Sequence, residues 1–309
     1  MSSGGSSSWF GDNNPQTLRD RLRKSELATR DDQFETAVAQ LLADCLADYN
    51  TRDTEVIGSI LDKVKTDLGD EFEMAVQLRF GGSVSKNTFV NGLSDLDALV
   101  LLNRQDAEGR SPEELRSIFA EKLRARFGAA AVSEGNLAVT LKVYGQEIQL
   151  LPAVADGEHL RISSHDGKHW STIRPRTFSD DLTLCNKEMD SKLVPTIKLA
   201  KGILAGLPEQ RQISGYHTEV LAVEIFRDYS GDKTPKNMLR HFFDKLPDAI
   251  RQPMRDPTGQ SVYVDDYLGP HDDVRRQTAA DALDRIARRI RNADGAKSLD
   301  RWRELVFGQ

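Results

Sequence analysis

Two aspartates, Asp95 and Asp97, stand at the start of an apolar run, residues 97–102, that is typical of a buried strand. Residues two apart on a strand share a face, and two carboxylates on one face repel each other unless a cation lies between them. Mg²⁺ is commonly held by one or two carboxylates together with substrate phosphates. The pair therefore predicts a site for Mg²⁺ or Mn²⁺. The alternative is two solvated acids in a turn.

A glycine-rich stretch precedes the pair. Residues 74–80 predict a strand, and this strand runs directly into Gly81, Gly82 and Ser83, where a short helix could begin. Glycine lets backbone amides approach a phosphate, and the start of a helix favours an anion. A phosphate cradle beside a metal site would form a nucleoside triphosphate site. On the other interpretation, Ser83 only caps a helix.

The spacing of apolar residues predicts the elements that position these groups. Helices are expected over residues 31–50 and 56–68. A third helix is expected from Ser111 to about residue 127, because Ser111 can cap a helix and is followed by a proline and two acids. Alternation predicts strands over 137–144 and 147–152 with a turn at Gly145-Gln146. Helical stripes dominate beyond residue 179. We predict an α+β fold, with helices and a mixed sheet in residues 1–180, a helical lobe in residues 181–309, and the site between them.

Composition limits the classes of function. The net charge of −6 argues against a protein that coats nucleic acid, and the basic C-terminal helix is interleaved with acids, which favours a salt-bridged face. The two cysteines, Cys45 and Cys185, lie in no Cys-x-x-Cys pair, so we expect a reducing compartment and no cysteine-rich zinc site. His165 and His169 lie in a loop-like stretch, and no zinc is expected there. The absence of a signal peptide or apolar span predicts a cytoplasmic protein without membrane attachment.

Gly82-Ser83, followed after eleven residues by Asp95-Leu96-Asp97, resembles the signature of DNA polymerase beta-type nucleotidyltransferases. Later segments resemble the CD-NTases, the oligonucleotide cyclases of bacterial anti-phage signalling (CBASS), a family similar to oligoadenylate synthetase. These segments are residues 149–153, 197–201, 213–219, 256–259 and 262–269. The resemblance covers the chain from about residue 56 and implies a polymerase beta-type palm followed by a helical lobe.

The resemblance also implies roles for individual residues. Asp95 and Asp97 would be the catalytic metal ligands, and the β- and γ-phosphates would lie against Gly82 and Ser83. The other implied nucleotide contacts are Lys198 and Lys201 to the triphosphate, Ser214 to the nucleotide, and Tyr216 stacked on a base. From the residues alone, the lysines could be solvated and the tyrosine could belong to the core. The family has a serine just before the tyrosine. Here that position is Gly215.

The third carboxylate of the family's site has no direct counterpart, because Gln149 stands there. A glutamine can ligate a metal through its carbonyl oxygen, but it carries no charge and cannot act as a general base. Glu147 lies two residues earlier on the same strand face and could replace it by a shift of register. Both residues are therefore candidates for the third position. The two aspartates would still hold the metal that binds with the nucleotide, but binding of the second metal would be weakened.

The resemblance implies an enzyme. A ribose hydroxyl of one nucleotide would attack the α-phosphate of an NTP, pyrophosphate would leave, and the product would be a cyclic di- or trinucleotide that activates a separate effector. An activating protein is a further expected partner, and stable nucleic-acid binding is not expected. Two alternatives stay open. One is a polymerase or terminal transferase that extends RNA, DNA or protein, and the other is a catalytically weak nucleotide-binding sensor.

Overall fold

The computed structural model describes residues 15–51, 54–69, 77–80, 82–91, 93, 96–102, 104–105, 107–157, 159–164, 166–259 and 261–308. The predicted metal ligand Asp95, Gly81, His165 and the first part of the strand predicted over 74–80 lie outside these ranges. The helices are α1 (Pro15–Asn50), α2 (Thr54–Gly69), α3 (Gly82–Ser85), α4 (Pro112–Phe127), α5 (Pro175–Glu188), α6 (Leu193–Ala205), α7 (Gly215–Phe226), α8 (Pro235–Ala249), α9 (Val274–Gly295) and α10 (Leu299–Phe307). The strands are β1 (Gln77–Phe80), β2 (Leu96–Leu102), β3 (Val132–Glu134), β4 (Val139–Val143), β5 (Gln146–Asp156), β6 (His159–Ser163) and β7 (Trp170–Ile173).

The described strands form one mixed sheet in the order β1-β2-β5-β4-β3, and β6 pairs with the end of β5 and with β7. β2 and β5 are parallel, whereas the other described pairs are antiparallel. A parallel pair needs a crossover connection, and α4 with the β3–β4 hairpin supplies it. α4 starts as predicted, since Ser111 and Glu114 exchange side-chain and backbone hydrogen bonds in a capping box.

The two faces of β2 have different surroundings. One face points into a core with α2 and α4, and the β2 residues in that core are Leu96, Ala98, Val100 and Leu102. The alternate residues point the other way, where Leu101 packs with Ala153 of β5 in a smaller cluster. Asp97 belongs to this second face. A charged side chain is therefore tolerated on an otherwise buried strand, because it points away from the helices that cover the sheet.

A second core lies in the helical lobe, which we define as α1 together with α5 to α10; the sheet lobe comprises α2 to α4 and the seven strands. α1 contributes a stripe of buried residues at helical spacing, namely Phe34, Val38, Leu41, Leu42 and Cys45. α1 thus packs with the C-terminal half of the chain although it precedes the sheet in sequence. The division of the chain at residue 180 stays a prediction. Within the described ranges, none of the helices combines the length and the hydropathy of a membrane span.

Some elements differ in extent from the prediction. α1 begins at Pro15 rather than near residue 31, and residues 19–33 are exposed, so they show no apolar periodicity that could have indicated a helix. The turn expected at Gly145-Gln146 lies one residue earlier, at Tyr144 and Gly145, both with positive φ (51° and 72°). β6 and β7 were not predicted, because these short strands at the border of the sheet are rich in polar residues.

A buried ion pair braces the C-terminal part of the helical lobe. Arg276 on α9 donates to the carboxylate of Asp265 (2.6 Å) and to the carbonyl oxygens of Ile250 (2.8 Å) and Gly269 (2.6 Å). Both charged side chains are almost completely buried. One cation faces one anion, and carbonyl oxygens take up further guanidinium donors, so the pair is balanced in charge.

The same region fixes the start of α7. The hydroxyl of Tyr267 accepts a hydrogen bond from the amide of Ser214 (2.9 Å) and lies 3.0 Å from Nδ1 of His217. We assign the hydroxyl proton to the bond with Nδ1, which makes His217 a neutral acceptor. Burial lowers the pKa of His217 to about 4, although Asp265 acts in the opposite direction. We call Arg276, Asp265, Tyr267 and His217 the Arg276 cluster.

Candidate functional site

Asp97 and Gln149 lie side by side on the parallel strands. In the register of β2 and β5, Asp97 is paired with Gln149, and paired residues of neighbouring strands point to the same face. Glu147 is paired instead with Lys142 of β4, and their side chains form an ion pair of 2.7 Å. Of the two candidates for the third position, the register therefore places Gln149 beside Asp97, while the Glu147 carboxylate contacts a lysine on the neighbouring strand.

Gly82 brings the backbone against the Asp97 carboxylate. Its φ is +48°, and a Cβ atom at this position would lie 1.7 Å from Oδ2 of Asp97. Both the conformation and the close approach require glycine. α3 starts here, as predicted, and the carbonyl oxygen of Ser83 accepts a hydrogen bond from the amide of Thr88 (2.9 Å). The predicted cradle thus contacts the predicted metal ligand, and the contact of Ser83 with phosphate stays a prediction.

The described donor atoms fit a hard cation. Among the described residues, no three histidine, cysteine or acidic side chains come together as a metal site. Because Asp95 is outside the described ranges, the described part of the predicted site is the carboxylate of Asp97 beside the side chain of Gln149. Both offer oxygen ligands. Mg²⁺ prefers oxygen and completes its shell with water and phosphate, so this donor set is compatible with it.

The two lysines predicted to contact the triphosphate share α6 but have different surroundings. Lys198 donates to the side chain of Asn50 at the end of α1 (2.5 Å). Lys201 is buried, and its Nζ lies 2.7 Å from the carboxylate of Glu219 and 3.1 Å from the carbonyl oxygen of Thr88. Burial lowers the pKa of Lys201, while Glu219 and, more weakly, Asp97 raise it. Lys201 therefore contacts the cradle segment through Thr88, and the contact of either lysine with the triphosphate stays a prediction.

Sequence reasoning missed a buried charged group behind the cradle. Glu219 on α7 forms ion pairs with Lys86 and Lys201 and accepts a hydrogen bond from the hydroxyl of Thr88. Burial would raise the pKa of Glu219, but the two lysines lower it below its usual value. We call these four residues the Glu219 cluster. Weak signals were present, since Lys86 lies three residues after Ser83 in the cradle segment and Glu219 lies one helical turn after Tyr216.

Tyr216 lies beside this cluster on α7. Its hydroxyl donates to the carboxylate of Asp256 (2.8 Å), and its ring meets the ring of Phe178 edge to face, with centroids 5.4 Å apart. Nζ of Lys86 lies 4.9 Å from the Tyr216 ring centroid. The half-buried ring is therefore held at its hydroxyl and at its edge. Stacking on a base stays a prediction.

The turn formed by Asp256-Pro-Thr258 anchors Tyr216. Besides the tyrosine hydroxyl, the Asp256 carboxylate accepts hydrogen bonds from the amide and hydroxyl of Thr258 (2.8 and 2.7 Å) and from the amide and hydroxyl of Ser261 (3.1 and 3.0 Å). Burial would raise the pKa of Asp256, but these hydrogen bonds hold it below its usual value. This turn, one of the segments that resemble the CD-NTases, thus fixes the position of the tyrosine.

Ser214, predicted to contact the nucleotide, caps α7. Its hydroxyl accepts a hydrogen bond from the amide of His217 (3.1 Å), and its own amide is held by Tyr267. At the next position, a Cβ atom added to Gly215 would lie 3.6 Å from Nζ of Lys201. The contact of Ser214 with the nucleotide stays a prediction.

Solved structures share this architecture. CdnC of Escherichia coli MS115-1, in complex with HORMA-deltaN, matches with a TM-score of 0.67 and 15% identity, over 89% of this chain and 96% of that chain. The CD-NTase CdnG of Bradyrhizobium diazoefficiens, in complex with GTP, matches with a TM-score of 0.66 and 14% identity, over 88% and 96%. The cyclic AMP-GMP synthase DncV of Vibrio cholerae, bound to a linear intermediate, matches with a TM-score of 0.63 and 14% identity, over 97% and 91%.

No protein-family model matches the sequence, and no curated protein matches it significantly. The three structural matches nevertheless cover nearly the whole of each chain. The α+β fold is thus the fold of the CD-NTases, and the resemblance seen in the sequence is confirmed at the level of fold.

Proposed function

We propose that this protein is a Mg²⁺-dependent nucleotidyltransferase that joins NTPs into a cyclic di- or trinucleotide. The observation that carries the proposal is the contact between Gly82 at the start of α3 and the carboxylate of Asp97 on β2. It supports the proposal because it brings the predicted phosphate cradle and the predicted metal ligand together, within a fold that matches CD-NTases over nearly the whole chain. The same fold in a nucleotide cyclase supports the choice of product.

Asp97 and Asp95 would hold the cation, with the amide oxygen of Gln149 beside them. When bound, Mg²⁺ would neutralise charge on the phosphates and lower the pKa of the attacking ribose hydroxyl. Gln149 adds no charge, so the second of two metals would be held more weakly than in a site with three carboxylates.

The residues of the chain would supply binding and orientation. The backbone at Gly82 and Ser83 would bind the β- and γ-phosphates, and Lys201 would offset their charge from behind the cradle. Tyr216, held by Asp256, would orient a base by stacking on it. Correct placement of the hydroxyl on one nucleotide against the α-phosphate of the other accounts for much of the rate in such reactions.

A cyclic product would act as a signal on a separate effector, as the resemblance to anti-phage cyclases implies. A partner protein would control its synthesis. The complex of E. coli CdnC with HORMA-deltaN supports this part of the proposal, because it shows that the same fold accommodates a protein partner.

The test is a product assay. The protein is incubated with labelled NTPs and Mg²⁺ or Mn²⁺, treated with phosphatase, and the products are identified by mass spectrometry. We expect a phosphatase-resistant cyclic nucleotide whose yield falls by about 10³-fold or more in Asp97→Ala, because loss of a metal ligand removes several kcal/mol of transition-state stabilisation.

Other outcomes would separate the alternatives. Extension of an added RNA, DNA or protein without a free small product would indicate a polymerase or terminal transferase. Binding of ATP and Mg²⁺ without turnover, unchanged in Gln149→Asp, would indicate a sensor. Turnover that appears only in Gln149→Asp would identify a weakened catalyst, since the substitution adds a carboxylate beside Asp97.

A further inference from the structure

Glu219 joins the two lobes through one carboxylate. It lies on α7 of the helical lobe and is 1% exposed, yet two of its partners, Lys86 and Thr88, belong to the segment after α3 in the sheet lobe. Its third partner, Lys201, comes from α6. Burying a carboxylate is costly in hydration free energy unless the carboxylate is paired. The two lysines and the hydroxyl meet that requirement, so the lobes are tied at the cradle.

The charges of the Glu219 cluster do not balance. Two lysines share one carboxylate, so the cluster carries one positive charge in excess. A buried excess of positive charge attracts an anion far more strongly than the same charge in water. Asp97, the predicted metal ligand, also acts electrostatically on Lys201. A cation bound at Asp97 would offset that carboxylate and would leave the excess positive charge to a phosphate.

The cluster also sets the position of the cradle. The carbonyl oxygen of Ser83 is held by the amide of Thr88, and Thr88 is in turn held by Glu219 through its hydroxyl and by Lys201 through its carbonyl oxygen. Lys86 lies across the ring of Tyr216. A displacement of Glu219 would therefore move the cradle and the predicted base platform relative to each other.

We propose that Glu219 is a positioning residue for the triphosphate site, which holds the cradle, Lys86 and Lys201 in the arrangement that binds the phosphates of the NTP. This inference rests on the proposed nucleotidyl transfer and deepens it. Glu219 touches no reacting atom. It acts through the two lysines and through Thr88.

The test uses Glu219→Gln, which keeps the shape of the side chain and removes its charge. Calorimetry in the presence of Mg²⁺ measures the Kd of an ATP analogue that has a methylene group between the α- and β-phosphates. A product assay measures KM for the NTP and kcat for formation of the cyclic product. We expect Kd and KM to rise by about 10- to 100-fold, as for the loss of charge-assisted hydrogen bonds, and kcat to stay within about threefold. A purely structural role would lower the active fraction and leave Kd unchanged, which would overturn the proposal.

A double-mutant cycle sharpens the test. Lys86→Met should also weaken analogue binding, and combining it with Glu219→Gln should add less than about threefold, because each change alone already removes the Lys86–Glu219 ion pair. If the effects of Lys86→Met and Glu219→Gln on Kd multiply, the two residues act independently, which would contradict the proposal. The matched control is Glu224→Gln on the same helix, an exposed acid paired with Arg227 (3.1 Å), which should leave Kd unchanged.

The two proposals fail in different ways. If the wild-type protein neither binds the analogue nor forms a product, the proposed function is wrong. If the wild type binds and cyclises NTPs while Glu219→Gln has the same Kd, only the role of Glu219 is wrong.

Discussion

The Glu219 cluster and the Arg276 cluster are both buried, and both connect segments that are distant in sequence, but they differ in charge balance. In the Arg276 cluster one guanidinium faces one carboxylate and backbone carbonyls complete its hydrogen bonds. In the Glu219 cluster two lysines share one carboxylate beside the predicted phosphate cradle. A balanced cluster can brace a fold. An unbalanced one is costly unless a ligand completes it, so we infer that the first serves stability and the second serves substrate binding.

The largest expected effect is on stability, at Arg276. Arg276→Met leaves the buried carboxylate of Asp265 and several carbonyl oxygens uncompensated, so the free energy of unfolding should fall by about 3–5 kcal/mol. Urea denaturation measures the change. The neighbouring Arg275→Met removes an exposed ion pair with Asp273, which solvent screens, so it should change stability far less than Arg276→Met. A loss of nucleotide affinity in folded Arg276→Met would contradict the division of roles.

The pH dependence of stability tests the buried histidine of the same cluster. His217 is neutral when folded, with a pKa of about 4, but binds a proton below about pH 6.5 when unfolded. The unfolded state then binds more protons, so stability is full above pH 6.5 and falls as the pH drops towards 4, by about 3 kcal/mol in all. Urea titrations of wild type and His217→Asn at pH 7 and pH 4.5 isolate this contribution. An equal pH dependence in both proteins would mean that His217 binds its proton equally well in the folded and unfolded states, which would contradict the lowered pKa.

The lysines of α6 sharpen the other side of the comparison. Lys201→Met should weaken binding of ATP and Mg²⁺ by about 10- to 100-fold, because it removes the positive charge beside the cradle. Its stability cost should be below that of Arg276→Met, since Lys86 still pairs with Glu219. Lys198→Met is the matched variant and should change affinity less, because Lys198 contacts Asn50. Calorimetry measures the affinity of each variant for ATP and Mg²⁺. Equal losses of affinity would indicate that both lysines contact the triphosphate.

The smallest expected effect concerns Gly215, where the family has a serine. Gly215→Ser adds a side chain at ordinary contact distance from Lys201 and replaces glycine at the start of α7. We expect the free energy of unfolding to change by about 0.5 kcal/mol or less, and the affinity for ATP and Mg²⁺ to rise by about threefold at most. A large loss of affinity would mean that the space at this position is needed by the substrate.

Local features of the fold were predictable from the sequence. The capping box at Ser111, the helix at Gly82 and the stripe on α1 each depend on residues close in sequence, where spacing determines which side chains meet. The contacts within the Glu219 cluster could not be predicted in this way. Thr88 and Glu219 are 131 positions apart and meet only when α7 packs against the segment after α3.

By itself, the sequence determined which atoms could do chemistry: the aspartate pair at a strand start, the glycine before it, and an uncharged glutamine where a third carboxylate is expected. Only the tertiary structure decided which candidates meet. The parallel register of β2 and β5 placed Gln149, rather than Glu147, opposite Asp97. The packing of α6 against α7 placed Lys201 beside Glu219 and Thr88, whereas Lys198 donates to Asn50 at the end of α1. Register and packing depend on contacts between distant segments, and neither can be read from local spacing.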